Sequence, residues 1–151
     1  MRGSASITMN ASPDEVYAVV SDVTRMGDFS PECYKCEWND DGAEAVPGTT
    51  FTGHNRLGER EWSSHCEITA AEPGRLFVFD VGPSADAKYV RWSYALEPDG
   101  AGVRVTESFE LLSMPPLVEE VSEERKAQRI AMLIEDMSQT LVGMKEAVEG
   151  A

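Results

Sequence analysis

The sequence predicts an α+β fold, a seven-stranded curved antiparallel sheet wrapped around a long C-terminal helix, with two short helices after the first strand. Three observations predict it: seven runs that alternate like strands, turn residues closely spaced between them, and a change to helical spacing after Pro115 and Pro116. A sheet with one solvated face must bury the other, and the terminal helix alone is long enough to cover it. With 151 residues, the chain is expected to form a single ligand-binding domain over residues 1–151.

The start of the chain carries signals for a strand followed at once by a helix. Residues 4–10 alternate between apolar and polar side chains, which is typical of a half-buried strand. Ser12 can then cap a helix, Pro13 suits its first turn, and Glu15 can complete a capping box. A second short helical segment is predicted from Asp22 to about Gly27.

Six further strands are predicted along the middle of the chain. Turn chemistry separates them, as in the Gly58 and Gly100 regions, and the short spacing favours an antiparallel meander over parallel crossovers. The predicted strands cover residues 32–39, 49–56, 60–70, 75–81, 87–97 and 102–112.

The C-terminal helix is predicted from apolar residues spaced three and four apart, with charged residues between them. Its first portion, Glu119 to Arg129, is either a solvated face or a flexible entrance to the main helix. We expect the apolar stripe to lie over Trp62, Trp92 and Phe109, with Met132, Met137 and Met144 forming an adaptable wall. The stripe consists of Leu117, Val121, Ile130, Leu133, Ile134, Met137, Leu141, Met144 and Val148.

Phasing each strand by its largest apolar residues predicts which side chains face the helix. The inward set is largely aromatic, and in a sheet bent around one helix the core and a pocket wall can share residues. The expected ligand-binding residues are Phe51, Asn55, Trp62, Ser64, Phe77, Phe79, Trp92, Tyr94, Glu107, Phe109, Met137 and Leu141.

Two inward polar residues, Asn55 and Glu107, need an explanation. A buried carboxylate without a partner is costly, so Glu107 must find a hydrogen bond, a cation, water or a ligand. One interpretation is a core hydrogen bond to Tyr94, Asn55 or trapped water, and the other is contact with a ligand. If the protein is an enzyme, Glu107, Asn55 and Tyr94 are the candidate catalytic residues.

The net charge and the cysteine content limit which partners, which cellular location and which cysteine chemistry are expected. A net charge of −14 and a pI near 4.4 argue against nucleic acid, and no apolar run is long enough to span a membrane. Without an export signal the expected location is cytoplasmic, where the three cysteines would stay reduced. Cys33 and Cys36 have the spacing of a metal or redox motif, but residues three apart on a strand point to opposite faces. We therefore expect buried thiols there, with neither a metal site nor redox chemistry, and no cofactor is expected.

Histidine chemistry is not expected in the pocket either. His54 and His65 fall on the outward faces of their predicted strands, which removes the usual proton shuttle. No local signature assembles a serine, a histidine and an acid into a catalytic triad.

Several segments resemble one known superfamily along essentially the whole chain. The run from Ala11 to Tyr17, the run from Phe29 to Cys33, the run from Gly53 to Gly58, residues 72–77 and residues 105–109 resemble signatures of the helix-grip fold of the START-like, or SRPBCC, superfamily. Within it, the chain is similar to the bacterial polyketide cyclase/dehydrase and lipid-transport group. The resemblance implies a cavity between the sheet and the C-terminal helix.

Three functions stay open at this point. The first is binding of a small hydrophobic molecule, lipid-like or polyketide-like, by a monomer or weak homodimer. An alternative, which the resemblance implies, is a polyketide cyclase or dehydratase that uses polar cavity residues such as Asn55, Ser64, Tyr94 and Glu107. A second alternative is a toxin-like or regulatory protein that acts through its surface.

Overall fold

The computed structural model describes residues 1–114 and 120–150, and contains seven strands and three α-helices. A 3₁₀ turn, Val23–Arg25, precedes the second helix. In chain order the elements are β1 (Arg2–Met9), α1 (Pro13–Val20), α2 (Met26–Phe29), β2 (Cys33–Trp38), β3 (Thr50–Leu57), β4 (Arg60–Glu72), β5 (Leu76–Gly82), β6 (Val90–Asp99), β7 (Gly102–Leu111) and α3 (Glu123–Glu149).

All seven strands form one antiparallel sheet, in the order β1-β7-β6-β5-β4-β3-β2. Strands β2 to β7 form a meander, and β1 joins the outer edge of β7. Glycines with positive φ close tight hairpins, such as Gly58 at +63° and Gly100 at +59°. The predicted fold class is therefore confirmed, and the strand bounds differ from the sequence-based ranges by a few residues.

The predicted start of α1 is confirmed in detail. The Ser12 hydroxyl accepts a hydrogen bond from the Glu15 backbone N–H at 3.2 Å, and the Glu15 carboxylate accepts one from the Ser12 N–H at 3.3 Å. This capping box, with Pro13 in the first turn, satisfies N–H groups that the helix itself leaves unpaired.

The second short helix continues to Phe29 rather than ending at Gly27. The glycine has another role, because a Cβ at this position would overlap the backbone carbonyl of Tyr34. Gly27 therefore lets α2 lie directly against β2. A glycine in a sequence indicates a helix end or a close approach equally well, and here it marks the close approach.

Helix α3 begins after Ser122, whose hydroxyl accepts a hydrogen bond from the Arg125 N–H at 3.2 Å. It packs chiefly along β1, and then against α2, α1 and β7. Trp62 on β4, which was predicted to lie under this helix, is not among the residues that line the space between helix and sheet. Leu117 and Glu119, which the predicted helix included, lie outside the described residues.

The core lies between the sheet and helices α1 and α3. The least exposed large side chains are Tyr94, Phe51, Phe77, Met9, Ile68, Met137, Leu141 and Met144.

Among the described residues, no helix has the length and apolar content needed to cross a membrane.

Candidate functional site

A cavity of about 120 Å³ lies between helix α3 and the concave face of the sheet. Each strand from β2 to β7 contributes to its wall, α3 forms the opposite wall, and α2 with the segment that follows it closes one side. The lining residues are Met26, Ser30, Glu32, Cys33, Cys36, Phe51, Gly53, Asn55, Ser64, Cys66, Phe79, Val81, Trp92, Tyr94, Glu107, Leu133, Asp136, Met137 and Thr140.

The structure brings most of the sequence-predicted site residues together. Of the twelve, the eight that line the cavity are Phe51, Asn55, Ser64, Phe79, Trp92, Tyr94, Glu107 and Met137. The other four, Trp62, Phe77, Phe109 and Leu141, are not among its lining residues.

Those four residues occupy the surroundings of the cavity for different reasons. Phe77 packs beside Phe79, with 5.8 Å between ring centroids, and Phe109 packs beside Trp92 at 5.6 Å. Leu141 is almost fully buried in the core. Trp62 is half-buried beneath the guanidinium of Arg60, 4.9 Å from its ring centroid.

Aromatic rings give the cavity a firm apolar wall. Phe51 and Phe79 pack edge to face at 5.2 Å, and Phe79 is the register partner of Trp92 on the next strand. Edge-to-face packing of this kind stabilises a fixed ring arrangement beyond simple burial. The wall is therefore shaped before any ligand arrives.

Glu107 is the most unusual polar group in the cavity. Its side chain is buried, and its Oε1 atom has no hydrogen-bond partner. Burial raises the pKa of this carboxyl from 4.5 to about 8, while the nearby Tyr94 hydroxyl opposes the shift and the charge of Asp136 adds to it. At neutral pH Glu107 is therefore mostly a neutral acid that can both donate and accept a hydrogen bond.

Tyr94 lies directly opposite Glu107 in the pairing of β6 with β7. It is 1% exposed, and its hydroxyl lies 3.8 Å from the sulfur of Met26. Burial and the charge of Glu107 raise the pKa of Tyr94 well above its usual value. The phenol therefore stays protonated, and it lies beside a carboxyl group whose Oε1 atom has no hydrogen-bond partner.

Asn55 and Ser64 form a second polar point, on β3 and β4. The Asn55 amide donates to the Ser64 hydroxyl at 3.2 Å and to the Gly53 carbonyl at 3.4 Å. Asn55 thus binds its own neighbours and makes no hydrogen bond to Glu107. The core network that the sequence allowed between these two residues does not form.

Three thiols line the wall between these polar points, and their arrangement overturns an expectation. The pairing of β2 with β3 shifts between Cys33 and Lys35, so one extra residue bulges out of the strand. The bulge turns Cys33 and Cys36 to the same side, with their sulfur atoms 3.3 Å apart. The prediction that they point to opposite faces is wrong because it assumed a regular strand.

The side of the cavity formed by α3 and the segment before β2 carries two acidic residues. Glu32 and Asp136 both line the cavity, and burial, with the charge of Glu32, raises the pKa of Asp136. Arg129 on α3 donates two hydrogen bonds to the Glu32 carboxylate, at 2.7 and 3.0 Å, joining the helix to the segment before β2. None of the described lining residues is Lys, Arg or His, so the arrangement disfavours an anionic ligand.

The three helix methionines predicted to form an adaptable wall separate in the structure. Met137 lines the cavity, Met144 is buried in the core outside it, and Met132 is 44% exposed. The α2 side of the cavity, including Met26 and Ser30, was not predicted. These residues reach the cavity because α2 packs against α3, and no local pattern in the sequence indicates that packing.

Both histidines lie away from the cavity, as the strand phasing predicts. His54 Nε2 lies 2.7 Å from the Glu37 carboxylate, and its Nδ1 lies 3.0 Å from the Ser63 hydroxyl. This serine–histidine–acid chain was not expected from the sequence, since cross-strand pairing of β2, β3 and β4 assembles it. Glu37 is about half exposed, and the chain lies on the outer face of the sheet, so we assign it a surface polar role.

Comparison with known proteins places the sequence in context. A family model described as polyketide cyclase / dehydrase and lipid transport matches residues 2–149. No protein of curated function matches the sequence significantly. The chain is 34% identical to the Polyketide_cyc-like protein Cgl2372 from Corynebacterium glutamicum, covering 98% of this chain and 91% of that one, with a TM-score of 0.66.

More distant structures share the fold. Protein TTHA0849 from Thermus thermophilus is 19% identical, with a TM-score of 0.72, over 99% of this chain and 98% of that one. The di-domain ARO/CYC protein StfQ of the steffimycin biosynthetic pathway is 13% identical, with a TM-score of 0.74. The match covers 99% of this chain and 50% of StfQ. At these identities the likeness concerns the fold alone.

Proposed function

Because this chain belongs to the polyketide cyclase/dehydrase and lipid-transport family, we propose that its cavity binds a small, uncharged and mainly apolar molecule. The single observation that carries the proposal is the Oε1 atom of Glu107, which is buried, lacks a partner and belongs to a cavity-lining residue. A buried polar atom without a partner costs about 1–3 kcal/mol. A ligand hydroxyl or carbonyl that pairs with it would recover that free energy.

The charges of the cavity define the ligand further. With Glu107 protonated, a fatty acid or another anion would find no cation among the described lining residues, and Arg129 nearby is already paired with Glu32. A neutral molecule avoids this cost. An alcohol, phenol or ketone also offers an oxygen that can pair with the Oε1 atom of Glu107.

The size of the cavity limits how much of a ligand it can enclose. At about 120 Å³ it is smaller than the roughly 300–1,000 Å³ of pockets for drug-sized ligands. An apolar cavity of about 150 Å³ is known to hold benzene. The enclosed part is therefore about one six-membered ring, and the rest of a longer ligand would extend through the mouth.

A matched pair of probes tests whether the Oε1 atom of Glu107 forms a hydrogen bond with a ligand oxygen. We expect phenol to bind more tightly than toluene, which has nearly the same shape, by about threefold to tenfold, since one hydrogen bond contributes about 0.5–1.5 kcal/mol. Chemical-shift titration of isotope-labelled protein measures both affinities, and the shifted amides should cluster around Phe79, Trp92 and Glu107.

The Glu107→Leu variant removes the acid and keeps an apolar side chain, so it should lose the preference for phenol, or reverse it because the phenol hydroxyl is then buried without this partner. Glu110→Leu, at an exposed position of the same strand, is the control and should keep the preference for phenol. Failure of both probes to bind the wild type, or an unchanged preference in Glu107→Leu, would contradict the proposal.

A second candidate function is proton transfer to a bound ketone, as in a cyclase or dehydratase. The observation that favours it is the pairing of an acid whose pKa is about 8 with a protonated phenol, Tyr94, on the adjacent strand. The ionised form of Glu107 could remove a proton next to a carbonyl, and the Tyr94 hydroxyl could donate to the enolate oxygen. The protonated form could then assist the loss of water.

Substitution of Glu107 by glutamine separates binding from catalysis. If the protein is a cyclase, Glu107→Gln should lower the rate of ring closure of a linear poly-ketone at least a hundredfold, because general acid–base catalysis contributes about 10²–10⁴. Product formation is followed by chromatography, with Glu110→Gln as the matched control. A wild-type protein that binds phenol but forms no ring above the buffer rate would be a binder only.

A further inference from the structure

The cavity wall contains a feature that neither ligand binding nor proton transfer uses. Cys33 and Cys36 face each other with their sulfur atoms 3.3 Å apart, and both line the cavity. Cys33 is half-buried and Cys36 is buried. The β-bulge in β2 produces this contact, since a regular strand would separate side chains three residues apart.

The surroundings make the two thiols chemically unequal. The Cys33 and Cys36 sulfur atoms share a hydrogen bond in which either can be the donor. This contact, with the backbone at Lys35 and His54, lowers the pKa of Cys33 against the opposing effect of burial. The same hydrogen bond and burial raise the pKa of Cys36 far above its usual value. Cys33 is thus the better thiolate, and Cys36 is a protonated thiol held against it.

We propose that Cys33 and Cys36 form a reversible thiol–disulfide site inside the cavity, for which the partner is a small, uncharged disulfide or dithiol. The Cys33 thiolate attacks one sulfur of the partner disulfide and releases one partner thiolate. Cys36 then loses its proton and attacks the mixed disulfide at Cys33, which releases the second partner thiolate. The protein loses two electrons and its thiol protons, and the partner disulfide gains them as two thiols.

The geometry needs only a small adjustment for the second step. A disulfide bond has a sulfur–sulfur distance of about 2.0 Å, so the two sulfur atoms must approach by little more than 1 Å, which side-chain rotation supplies. The third thiol, Cys66, is buried on β4, and burial raises its pKa to about 12. Cys66 is therefore an unreactive neighbour and a natural control.

The acidic residues of the cavity decide which reagent suits the test. A neutral disulfide such as 2-hydroxyethyl disulfide should react faster with the reduced protein than anionic oxidised glutathione, because Glu32 and Asp136 line the same cavity as Cys33. The product should be lighter than the reduced protein by two hydrogens in the intact mass, and dithiothreitol should restore the original mass.

Trypsin makes the assignment direct. Cleavage after lysine and arginine places Cys33, Cys36 and Cys66 in three different peptides, residues 26–35, 36–56 and 61–75. The oxidised wild type should yield peptides 26–35 and 36–56 joined by a disulfide. Joining of peptide 61–75 to either of the others, or no joining at all, would overturn the proposal.

Two variants test the roles of the thiols. Cys36→Ser should stop at the mixed disulfide and carry one stable 2-mercaptoethanol adduct on Cys33, while Cys66→Ser should form the disulfide as the wild type does. Cys36→Ser that stays unmodified would refute the assignment of Cys33 as the attacking thiol. The wild-type peptide map needs neither variant, so the proposal can be tested even if a substitution prevents folding.

Discussion

The Glu107→Gln variant should become more stable relative to the wild type as the pH rises. The difference in their free energies of unfolding should change by up to about 5 kcal/mol between pH 4.5 and about pH 8. The carboxyl has a pKa of about 8 in the folded protein, raised mainly by burial from 4.5. Within this window the unfolded chain releases the proton while the folded protein retains it. Stability contributed by the protonated acid is therefore complete below about pH 4.5 and is lost as the pH rises to about 8.

Denaturant unfolding at a series of pH values measures this effect directly. The difference in unfolding free energy between Glu107→Gln and the wild type should change by about 1.4 kcal/mol per pH unit inside the window, and level off above it. Glu110→Gln, at an exposed position on β7, should show no comparable trend. A difference for Glu107→Gln that is independent of pH would mean that the carboxyl is ionised in the folded protein at neutral pH.

Substitution of Gly27 by alanine should destabilise the protein by about 3 kcal/mol or more, at the upper end of the range for overpacked sites. The added Cβ would overlap the Tyr34 carbonyl, and backbone cannot move aside as a flexible side chain can. Helix α2 would have to separate from β2. Met26, which touches the Tyr94 hydroxyl and lines the cavity, would move with it.

Thermal unfolding and phenol titration together measure this second effect. Asp28→Ala is the matched control, because Asp28 is the exposed neighbour of Gly27 in the same helix and its ion pair with Arg25 is long, at 4.0 Å. The control should stay within about 0.5 kcal/mol of the wild type. Gly27→Ala with wild-type stability and unchanged phenol affinity would show that α2 does not depend on this close approach.

The fold could be predicted largely because its signals are local. The capping box at Ser12, the glycine turns and the three-and-four spacing of α3 each depend on residues that are near in sequence. The role of Gly27 could not be read in this way. The residue that Gly27 approaches, Tyr34, lies in another element. From the sequence alone, a glycine at a helix end cannot be distinguished from a glycine at a close backbone approach.

The regular alternation of side chains along the strands predicted part of the candidate site. Strand phasing brought Phe79, Trp92 and Glu107 to one face, and all three line the cavity. It failed at Cys33, because a single bulge reverses the phase of a strand and leaves no reliable local signature. The contributions of α2 and of the segment after it depend on how the helices pack, which alternation does not encode.

If the cavity presents a neutral acid to an uncharged ligand, Glu107 must be protonated at neutral pH. An NMR titration of the Glu107 side-chain carboxyl carbon, assigned by comparison with Glu107→Gln, measures this in the free protein and with saturating phenol. We predict a midpoint near pH 8 in the free protein and a displaced midpoint with phenol bound. A midpoint near 4.5, unchanged by phenol, would contradict it.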